Sequence, residues 1–391
     1  MTNNELLKIL ERDAIDIFSV ESLKQKLDSG KKLKIKLGAD PSRPDLHLGH
    51  SVVLRKLRLF QDLGHEIVFV IGDFTGMIGD PSGKSKTRQP LTFEQTRHNA
   101  ESYLKQVVKI LDKDKTTITY NSEWLGKMTF ADVLALAGKY TVARIMERDD
   151  FAKRFASNQA IGLHEMLYPL MQGYDSVALD ADIEVGGSDQ TFNLLVGREL
   201  QKDYGQPSQD VITFPLLPGL DGVEKMSKSL DNYIGIDESP EVIFEKAMKI
   251  PDSLMEDYFR LTTDVDEFEY KLILSGDIRK AHFVYARQLV KMYHGEDFIA
   301  TAEARYREIA KGGIPDNMDE ITVSEQNIQI LELLKLAGFA SSNGDARRLI
   351  QGKGIKINNE VIEDPNLTVQ PCGELVLSRG KNRFIKVVFK G

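Results

Sequence analysis

The sequence predicts an α/β protein built on a parallel β-sheet. Two segments predicted as strands, residues 33–37 and 67–71, flank a segment in which apolar residues recur at helical spacing, and this order forms a βαβ unit. The second run is rich in β-branched residues, which is typical of a strand buried on both faces of a parallel sheet. Glycine and polar residues follow both runs, at the strand ends where such sheets bind ligands.

The composition is that of an ordinary globular protein with a sizeable core. The chain has 391 residues, of which 41% are hydrophobic and 28% charged, and this length predicts two or three domains. The first residues show no leader pattern and no apolar run reaches membrane length, so we expect a cytoplasmic protein that does not enter a membrane. The single cysteine, Cys372, excludes an internal disulfide and a Cys-x-x-Cys metal site.

Charge is distributed unevenly along the chain. The formal net charge is −8, which argues against a protein that coats nucleic acid indiscriminately. Residues 331–391, however, contain ten Lys and Arg against six Asp and Glu, a net charge of +4 that leaves −12 for residues 1–330. An acidic body therefore ends in a basic module.

Two histidines lie where the first predicted strand gives way to a helix. The run His47-Leu48-Gly49-His50 precedes apolar residues at helical spacing. A helix that begins there directs free backbone N–H groups and a partial positive charge at the crevice, a common phosphate site. Gly49 lets a ligand approach the backbone, and both imidazoles can donate to phosphate oxygens. The alternative is that they are capping or surface residues.

A glycine-rich, cationic loop follows the second strand. Only three residues separate Gly79 from Gly83, whereas a P-loop has four between its glycines, and no helical segment follows at once. We therefore reject a P-loop and predict a mobile lid near a polyphosphate. An ordinary solvated loop is the alternative.

Further helices are predicted up to about residue 30, at 91–114 and over much of 129–160, with a strand at 116–120. The charged turns in 129–160 form either an interface or a solvated face.

The next predicted helix carries polar groups in one register. Tyr168, Gln172 and Asp175 lie at i, i+4 and i+7, which places them on one helical face, although Pro169 must start or kink this helix. A buried carboxylate needs a hydrogen-bond donor, and a phenol or an amine would serve. Alternatively, Asp175 is bonded internally within a core helix.

Two more polar clusters follow apolar runs. Asp189 and Gln190 follow a predicted strand that begins at Ile183 and runs into the glycine pair Gly186-Gly187. Lys225 and Lys228 stand three apart in a serine-containing loop. Such lysines can be solubilising charge, but after the last strand of a sheet that carries the histidine turn we interpret them as phosphate ligands.

These motifs together resemble a known family. His47-Leu48-Gly49-His50 and Lys225-Met226-Ser227-Lys228-Ser229 are similar to the HIGH and KMSKS signatures of class I aminoacyl-tRNA synthetases. With residues 79–83, 168–175 and 187–190 added, the whole chain resembles the bacterial tyrosyl-tRNA synthetases. The resemblance implies a Rossmann-like catalytic domain and a ligase that makes tyrosyl-adenylate from L-tyrosine and ATP, then transfers tyrosine to the 3′ end of tRNA(Tyr).

The resemblance also implies a role for each matching residue. Tyrosine would be held by Asp175 at its phenol, by Tyr168 and Gln172 at its amino group with help from Asp80, and by Gln190 at its carboxylate. The ATP-binding residues, with Asp189 at the adenosine ribose, would be Gly38, Asp40, Ser42, His47, Gly49, His50, Gly187, Asp189 and Lys228. The catalytic residues that bind the transition state and the leaving pyrophosphate would be His47, His50, Lys225, Lys228, Lys84 and Arg88.

One position departs from the family pattern. Many members have a tyrosine that bonds the substrate phenol where this chain has Lys36. Either Lys36 reaches the phenol or it points away, and in the second case more of the selectivity rests on Asp175.

The implied architecture is a catalytic domain at 1–231, an α-helical anticodon-side domain at 232–318 and a small α+β RNA-binding domain of ribosomal-protein type at 328–391, after a linker near 311–316. In the last domain a basic face would bind tRNA, and it consists of Arg347, Arg348, Lys353 and Lys356. The alternative is a surface of average charge, because acidic residues lie among these cations. The resemblance further implies a homodimer and Mg²⁺ that accompanies ATP, with no dedicated metal site.

Two other functions are compatible with parts of this sequence. A nucleotidylyltransferase of the same superfamily would share the histidine turn, but it needs neither RNA-binding domains nor the 168–175 pocket. A non-catalytic RNA-binding protein would need only the tail.

Overall fold

The computed structural model describes residues 1–41, 45–82, 92–311, 313–314, 318–324, 327–370, 373–380 and 383–389. The chain forms two compact units, one of residues 1–239 with 246–289 and the other of residues 240–245 with 290–391. No helix within these described ranges is long and apolar enough to cross a membrane.

The first part of the chain alternates strands and helices, as predicted. Its elements are α1 (Asn3–Asp13), β1 (Asp16–Phe18), α2 (Val20–Asp28), β2 (Lys34–Ala39), α3 (Leu48–Asp62), β3 (Glu66–Ile71), α4 (Thr75–Ile78), α5 (Phe93–Val107), β4 (Thr116–Tyr120), α6 (Ser122–Leu125), α7 (Phe130–Ala137), α8 (Val142–Ile145), α9 (Asp149–Ala156), α10 (Leu163–Leu179), β5 (Ile183–Gly187), α11 (Thr191–Asp203) and β6 (Asp210–Phe214).

Six of these strands form one sheet in the order β1-β6-β5-β2-β3-β4. All neighbours are parallel except β1, which runs antiparallel to β6. From β2 the chain goes outward to β3 and β4, whereas β5 lies on the other side of β2 and leads outward to β6. The strand order therefore reverses between β2 and β5, and a crevice opens there above the carboxyl ends of the strands.

The N-terminal prediction was wrong in one respect. Instead of continuous helix up to residue 30, residues 16–18 form β1, with Ile17 opposite Ile212 and Phe18 opposite Val211. The outer edge of the buried strand β6 would otherwise leave its backbone N–H and C=O groups without partners. That pairing spans almost two hundred residues, so local periodicity does not reveal it.

Helix α10 packs against α11, and their apolar faces form a core with α6 and α7. Its buried members are Leu125, Leu136, Leu170, Met171, Val177, Val196 and Leu200. Pro169 lies inside α10 rather than at its start. It has no N–H to offer the carbonyl one turn earlier, but the buried face holds the helix in place.

A purely helical stretch follows β6 and a loop. Its helices are α12 (Pro240–Ala247), α13 (Met255–Thr262), α14 (Glu267–Leu274), α15 (Ile278–His294) and α16 (Ile299–Ala310). Short 3₁₀ turns occur along the chain at Lys113–Lys115, Ser188–Gln190, Lys228–Leu230, Asp252–Leu254 and Glu296–Phe298.

The tail is a small α+β fold, as predicted. Its elements are β7 (Asp319–Val323), β8 (Ile328–Gln329), α17 (Ile330–Leu336), α18 (Asn343–Gln351), β9 (Ile355–Ile357), β10 (Glu360–Val361), β11 (Thr368–Val369), β12 (Glu374–Arg379) and β13 (Arg383–Phe389). A five-stranded sheet in the order β10-β9-β12-β13-β7 shares a hydrophobic core with the two helices. Strand β7 lies in the interval that the predicted boundaries 318 and 328 leave unassigned, and the three domain boundaries stay a prediction.

Candidate active site

A cavity of about 780 Å³ lies above the crevice between β2 and β5. It brings together, in one space, the polar clusters that are scattered along the sequence. The predicted site residues that line it are Gly38, Asp40, His47, Gly49, His50, Asp80, Tyr168, Gln172, Asp175, Gly187, Asp189, Gln190, Lys225 and Lys228. Ser42, Lys84 and Arg88 lie outside the described residues.

At one end of the cavity is the buried carboxyl group of Asp175. Its Oδ1 accepts a hydrogen bond of 2.8 Å from Trp124 Nε1, and its Oδ2 one of 3.3 Å from Asn121 Nδ2. Burial raises the pKa of Asp175 to about 7, although the charge of Lys36 and these two donors oppose that rise. A carboxylate so placed is suited to accept a hydrogen bond from a buried hydroxyl group.

The two donors to Asp175 were missed by sequence reasoning. Asn121 directly follows β4, so its place at the end of a parallel strand was a usable signal. Trp124 is the only tryptophan of the chain, but nothing local connects it to Asp175, 51 residues away.

Tyr168 and Asp40 connect this end of the cavity to the next region. The Tyr168 hydroxyl donates to Asp40 Oδ2 at 2.9 Å, and Thr75 Oγ1 donates to Asp40 Oδ1 at 2.7 Å. Burial and the negative charge of Asp40 raise the pKa of Tyr168 well above its ordinary value, so the phenol stays protonated. Asp40, a predicted ATP ligand, therefore fixes the orientation of Tyr168, a predicted ligand of the amino acid.

A chain of amide and carboxylate groups lines the adjoining wall. Gln190 Nε2 donates to Asp80 Oδ2 at 2.9 Å, while Asn193 Nδ2 donates to Gln172 Oε1 at 3.0 Å and to Gln190 Oε1 at 3.1 Å. These bonds set the orientation of each amide. The wall presents acceptor oxygens of Asp80 and Gln172 to the cavity region, which suits an ammonium group.

Arg148 supports this wall from behind and was also missed. It is 5% exposed and donates to Ser82 Oγ at 2.8 Å and to Asn193 Oδ1 at 3.2 Å, with Asp80 Oδ1 3.6 Å away. Its Nε also donates to Asp150 at 2.7 Å. The sequence presents Arg148 only as one charge in a charged turn, and its function as a support depends on tertiary packing.

The histidine turn has the geometry that the sequence predicts. Helix α3 begins at Leu48, and the rings of His47 and His50 lie 3.9 Å apart between centroids. The His47 backbone N–H donates to His50 Nδ1 at 3.2 Å, so the proton of a neutral His50 is on Nε2. A Cβ at Gly49 would lie 3.0 Å from the His47 ring, so a larger residue would crowd it.

Both imidazoles are neutral at physiological pH. Burial lowers the pKa of His47 to about 2 and that of His50 to about 4. Among the described residues, His47 Nδ1 has no hydrogen-bond partner. The pair can therefore stabilise developing negative charge as neutral donors rather than as cations.

The two lysines of the 225–229 loop reach carboxylates at the cavity mouth. Lys225 Nζ lies 2.8 Å from Asp189 Oδ2, and Lys228 forms an ion pair with Asp45. The loop is anchored beneath by Met226, which is 4% exposed and whose N–H donates to the Leu217 carbonyl at 2.8 Å. Both ammonium groups are thus held where a polyphosphate would extend.

Lys36 does not line the cavity. Its ammonium group is fully buried and pairs with Glu184 at 2.8 Å. Of the two alternatives for this position, the structure therefore supports the one in which Lys36 points away from the cavity.

Comparison with known proteins identifies the family and the fold. The family model described as tRNA synthetases class I (W and Y) matches residues 28–311, and that of the S4 domain matches residues 330–375. The chain belongs to the class I synthetases. The predicted family, the predicted ligase class and the predicted fold, with its C-terminal RNA-binding domain, are confirmed.

Relatives of this synthetase are similar over nearly their whole length. A tyrosine–tRNA ligase of Deinococcus radiodurans is 52% identical over 99% of this chain and 97% of its own, and one of Thermotoga maritima is 49% identical over 99% and 98%. Among solved structures, tyrosyl-tRNA synthetase of Archaeoglobus fulgidus complexed with L-tyrosine has a TM-score of 0.64 at 25% identity, and the match covers 76% of this chain and 99% of that one.

The predicted tRNA-binding residues of this synthetase lie in the S4 domain, two of them on α18 and two after it. Arg347, Arg348 and Lys353 are exposed, whereas Lys356 is half-buried. Two of them have acidic neighbours, since Lys353 pairs with Glu363 at 2.6 Å and Arg348 lies 3.7 Å from Asp345. Their contact with tRNA stays a prediction.

Proposed function

We propose that the protein activates L-tyrosine with ATP and transfers the tyrosyl group to the 3′ end of tRNA(Tyr). One observation carries the proposal: a single cavity joins a buried carboxyl group that can accept from a phenol to a helix start with two neutral imidazoles. Tyrosine would lie with its hydroxyl at Asp175 and its ammonium group among Tyr168, Gln172 and Asp80. Its carboxylate, next to Gln190, then faces the nucleotide end.

Activation in this arrangement needs positioning more than proton transfer. The tyrosine carboxylate attacks the α-phosphorus of ATP in line, and the bond to the bridging oxygen of pyrophosphate breaks. His47 and His50 donate to phosphate oxygens as neutral imidazoles, and Lys225 and Lys228 exchange their carboxylate partners for the charge of the leaving pyrophosphate. A ribose hydroxyl of the tRNA end then takes the tyrosyl group from the adenylate.

Magnesium enters this scheme as part of the ATP substrate. Among the described residues no group of three or more His, Cys, Asp or Glu side chains is arranged to hold a metal ion. An ion carried by ATP keeps phosphate oxygens and water as its ligands, which is the ordinary coordination of Mg²⁺.

A homodimer is part of the proposal. Helices α7–α10 expose large apolar side chains near one another along the sequence, namely Phe130, Leu134, Val142, Phe155 and Leu163, with exposed fractions of 57–80%. Such a concentration favours an interface over a solvated face for the segment 129–160. A second copy of this chain is the partner, and sedimentation velocity tests it.

We place the protein in the cytoplasm, where tRNA and ATP are available, and we assign tRNA phosphates to the basic face of the S4 domain. The decisive experiment for the function is tyrosine-dependent exchange of labelled pyrophosphate into ATP. A nucleotidylyltransferase or a plain RNA-binding protein would show no dependence on tyrosine, and that result would refute the proposal.

A further inference from the structure

A buried ionic network lies directly beneath the tyrosine end of the cavity. Lys36 Nζ contacts Glu184 Oε1 at 2.8 Å, Ser176 Oγ at 2.9 Å and the Gln172 carbonyl at 3.2 Å. Glu184 Oε2 accepts from Ser176 Oγ at 2.9 Å and from Gln209 Nε2 at 2.6 Å. Lys36 and Glu184 are at most 1% exposed, so each buried charge is compensated by the other and not by water.

Two of the three contacts of Lys36 are made with one turn of α10. Gln172 and Ser176 are four residues apart, and Asp175 lies in the same turn, with its side chain in the cavity. Lys36 itself extends from β2, and Glu184 from the neighbouring strand β5. The ammonium group thus ties this turn to the two central strands between which the site opens.

We propose that Lys36 is a positioning residue for the selection of tyrosine. Lys36 fixes the turn of α10 between Gln172 and Ser176, and this turn places Asp175 where it meets the substrate phenol. This inference rests on the proposed binding of tyrosine with its hydroxyl at Asp175. It assigns to Lys36 an indirect function, in place of the direct phenol contact that a tyrosine makes in many relatives.

The charge of Lys36 acts in the same direction as its contacts. The titratable groups that face Asp175 are Lys36 from β2, Glu184 from β5 and the phenol of Tyr168 on α10 itself. Burial raises the pKa of Asp175. The positive charge of Lys36 lowers this pKa more than the negative charge of Glu184 raises it, and the phenol of Tyr168 is neutral. Lys36 therefore favours the ionised carboxylate, which is the form that accepts from a phenol.

A structural function alone does not require a charged pair here. Replacing a buried ion pair by neutral groups of similar volume is often neutral or favourable for stability. The pair adjoins the group that selects the substrate, so its loss is expected to appear in recognition more than in folding.

The test is the double variant Lys36→Met/Glu184→Gln, which removes both charges and leaves an acceptor for Ser176 and Gln209. We expect thermal unfolding close to that of the native protein and an unchanged KM for ATP in pyrophosphate exchange. The KM for tyrosine should rise by about tenfold, and the preference for tyrosine over phenylalanine should fall. The midpoint of the pH dependence of tyrosine KM should move to higher pH.

Lys56→Met is the matched control, because it removes a buried lysine elsewhere. Its partner Asp13 keeps Arg12 and Arg260 as ion-pair partners, and none of these residues lines the cavity. Tyrosine KM and its pH midpoint should stay native in this variant. Native values in the Lys36→Met/Glu184→Gln variant as well would overturn the proposal.

If the double variant does not fold, Ser176→Ala decides the question. It removes one of the three contacts of Lys36 without leaving a charge unpaired, and we expect a smaller rise in tyrosine KM with native ATP KM. An unchanged tyrosine KM in Ser176→Ala overturns the proposal in that case. The native protein serves as the reference for both, because a lack of tyrosine-dependent exchange there would instead refute the proposed function.

Discussion

Lys225 and Asp189 form an ion pair of 2.8 Å at the mouth of the cavity. Asp189 is the predicted ribose ligand, and Lys225 a predicted ligand of the leaving pyrophosphate. Both partners are partly exposed, with 44% and 23% of their side-chain surface accessible, so solvent weakens their attraction. ATP can therefore separate them at little cost, since it supplies a ribose for one partner and phosphates for the other.

Lys228→Ala should slow tyrosyl-adenylate formation and leave tyrosine binding nearly intact. The ammonium group meets the triphosphate chiefly as charge develops on the leaving group, so we expect the forward rate constant to fall roughly 100-fold. Single-turnover kinetics measures that constant separately from tyrosine Kd. Lys246→Ala is the control, because this lysine pairs with Glu238 and does not line the cavity. Weakened tyrosine binding with a native rate constant would contradict the assignment.

Asp175→Asn should reduce discrimination between tyrosine and phenylalanine. The amide can still bond a phenol, but the charged acceptor is lost, at a cost on the order of 1–3 kcal/mol for tyrosine and little for phenylalanine. Pyrophosphate exchange with each amino acid measures the ratio of kcat/KM. An unchanged ratio would show that another group binds the phenol.

The same carboxyl group predicts a pH effect on tyrosine binding. With a pKa of about 7, Asp175 ionises as the pH rises through neutrality, so tyrosine KM should fall from pH 6 to pH 8. Burial raises the pKa of Asp175 above its value in the unfolded chain, so between about pH 4 and pH 7 the folded state binds more protons at this carboxyl group than the unfolded state does. The contribution of Asp175 to the free energy of unfolding therefore falls as the pH rises through this range. In Asp175→Asn the tyrosine KM should no longer vary across this range.

His50→Asn should retain much more activity than His50→Ala. A neutral donor is what the turn supplies, and an asparagine amide can replace it, whereas alanine should lower kcat about 10- to 100-fold. The native kcat should show no histidine ionisation between pH 5.5 and 8, because burial lowers the pKa of His47 to about 2 and that of His50 to about 4. A kcat that follows a group near pH 6.5 would refute neutral donors.

Unfolding provides a second measurement on these histidines. Their folded pKa values lie below the unfolded value of 6.5, so the unfolded chain binds more protons as the pH falls below it. The contribution of the two histidines to the free energy of unfolding should therefore decrease from pH 6.5 towards pH 4, opposite in sign to that of Asp175, and the decrease should be smaller in His50→Asn than in the native protein.

Arg148→Met should raise tyrosine KM without changing ATP KM. The guanidinium supports Asp80, Asn193 and Ser82, and its loss leaves these polar groups with fewer partners. We expect a rise of about tenfold in tyrosine KM. Arg144→Met is the control on the same segment, since Arg144 is half exposed and pairs with Glu199. Equal effects of both substitutions would exclude a specific support function for Arg148.

Arg347→Ala/Lys356→Ala should affect only the transfer step. Removing two cations from the S4 domain should raise tRNA KM and reduce its dependence on salt, because fewer counterions are released on binding. Pyrophosphate exchange should remain native, since both residues lie outside the cavity. Lys335→Ala, on the other helix of that domain, is the control. Native aminoacylation at two salt concentrations would show that this face does not bind tRNA.

The geometry around the cavity that the sequence predicts is built from neighbours along the chain. The turn from His47 to His50 and the register of Tyr168, Gln172 and Asp175 follow from strand ends and helical spacing alone. Groups held together by distant contacts were not predicted: Trp124 reaches Asp175 across 51 residues and Lys36 reaches Ser176 across 140. Strands β1 and β7 were missed for the same reason, because each is a strand only through its distant partner.

The placement of Tyr168, Gln172 and Asp175 on α10 has an evolutionary consequence. Three of the groups that would hold the amino acid occupy one helix, whereas the histidines and lysines that would meet the phosphates lie on a separate turn and a separate loop. Substitutions along α10 can therefore retune the accepted side chain while the adenylation chemistry is inherited intact. A library randomised at the α10 positions that face the cavity is therefore expected to alter the choice of amino acid more than the activation of the nucleotide.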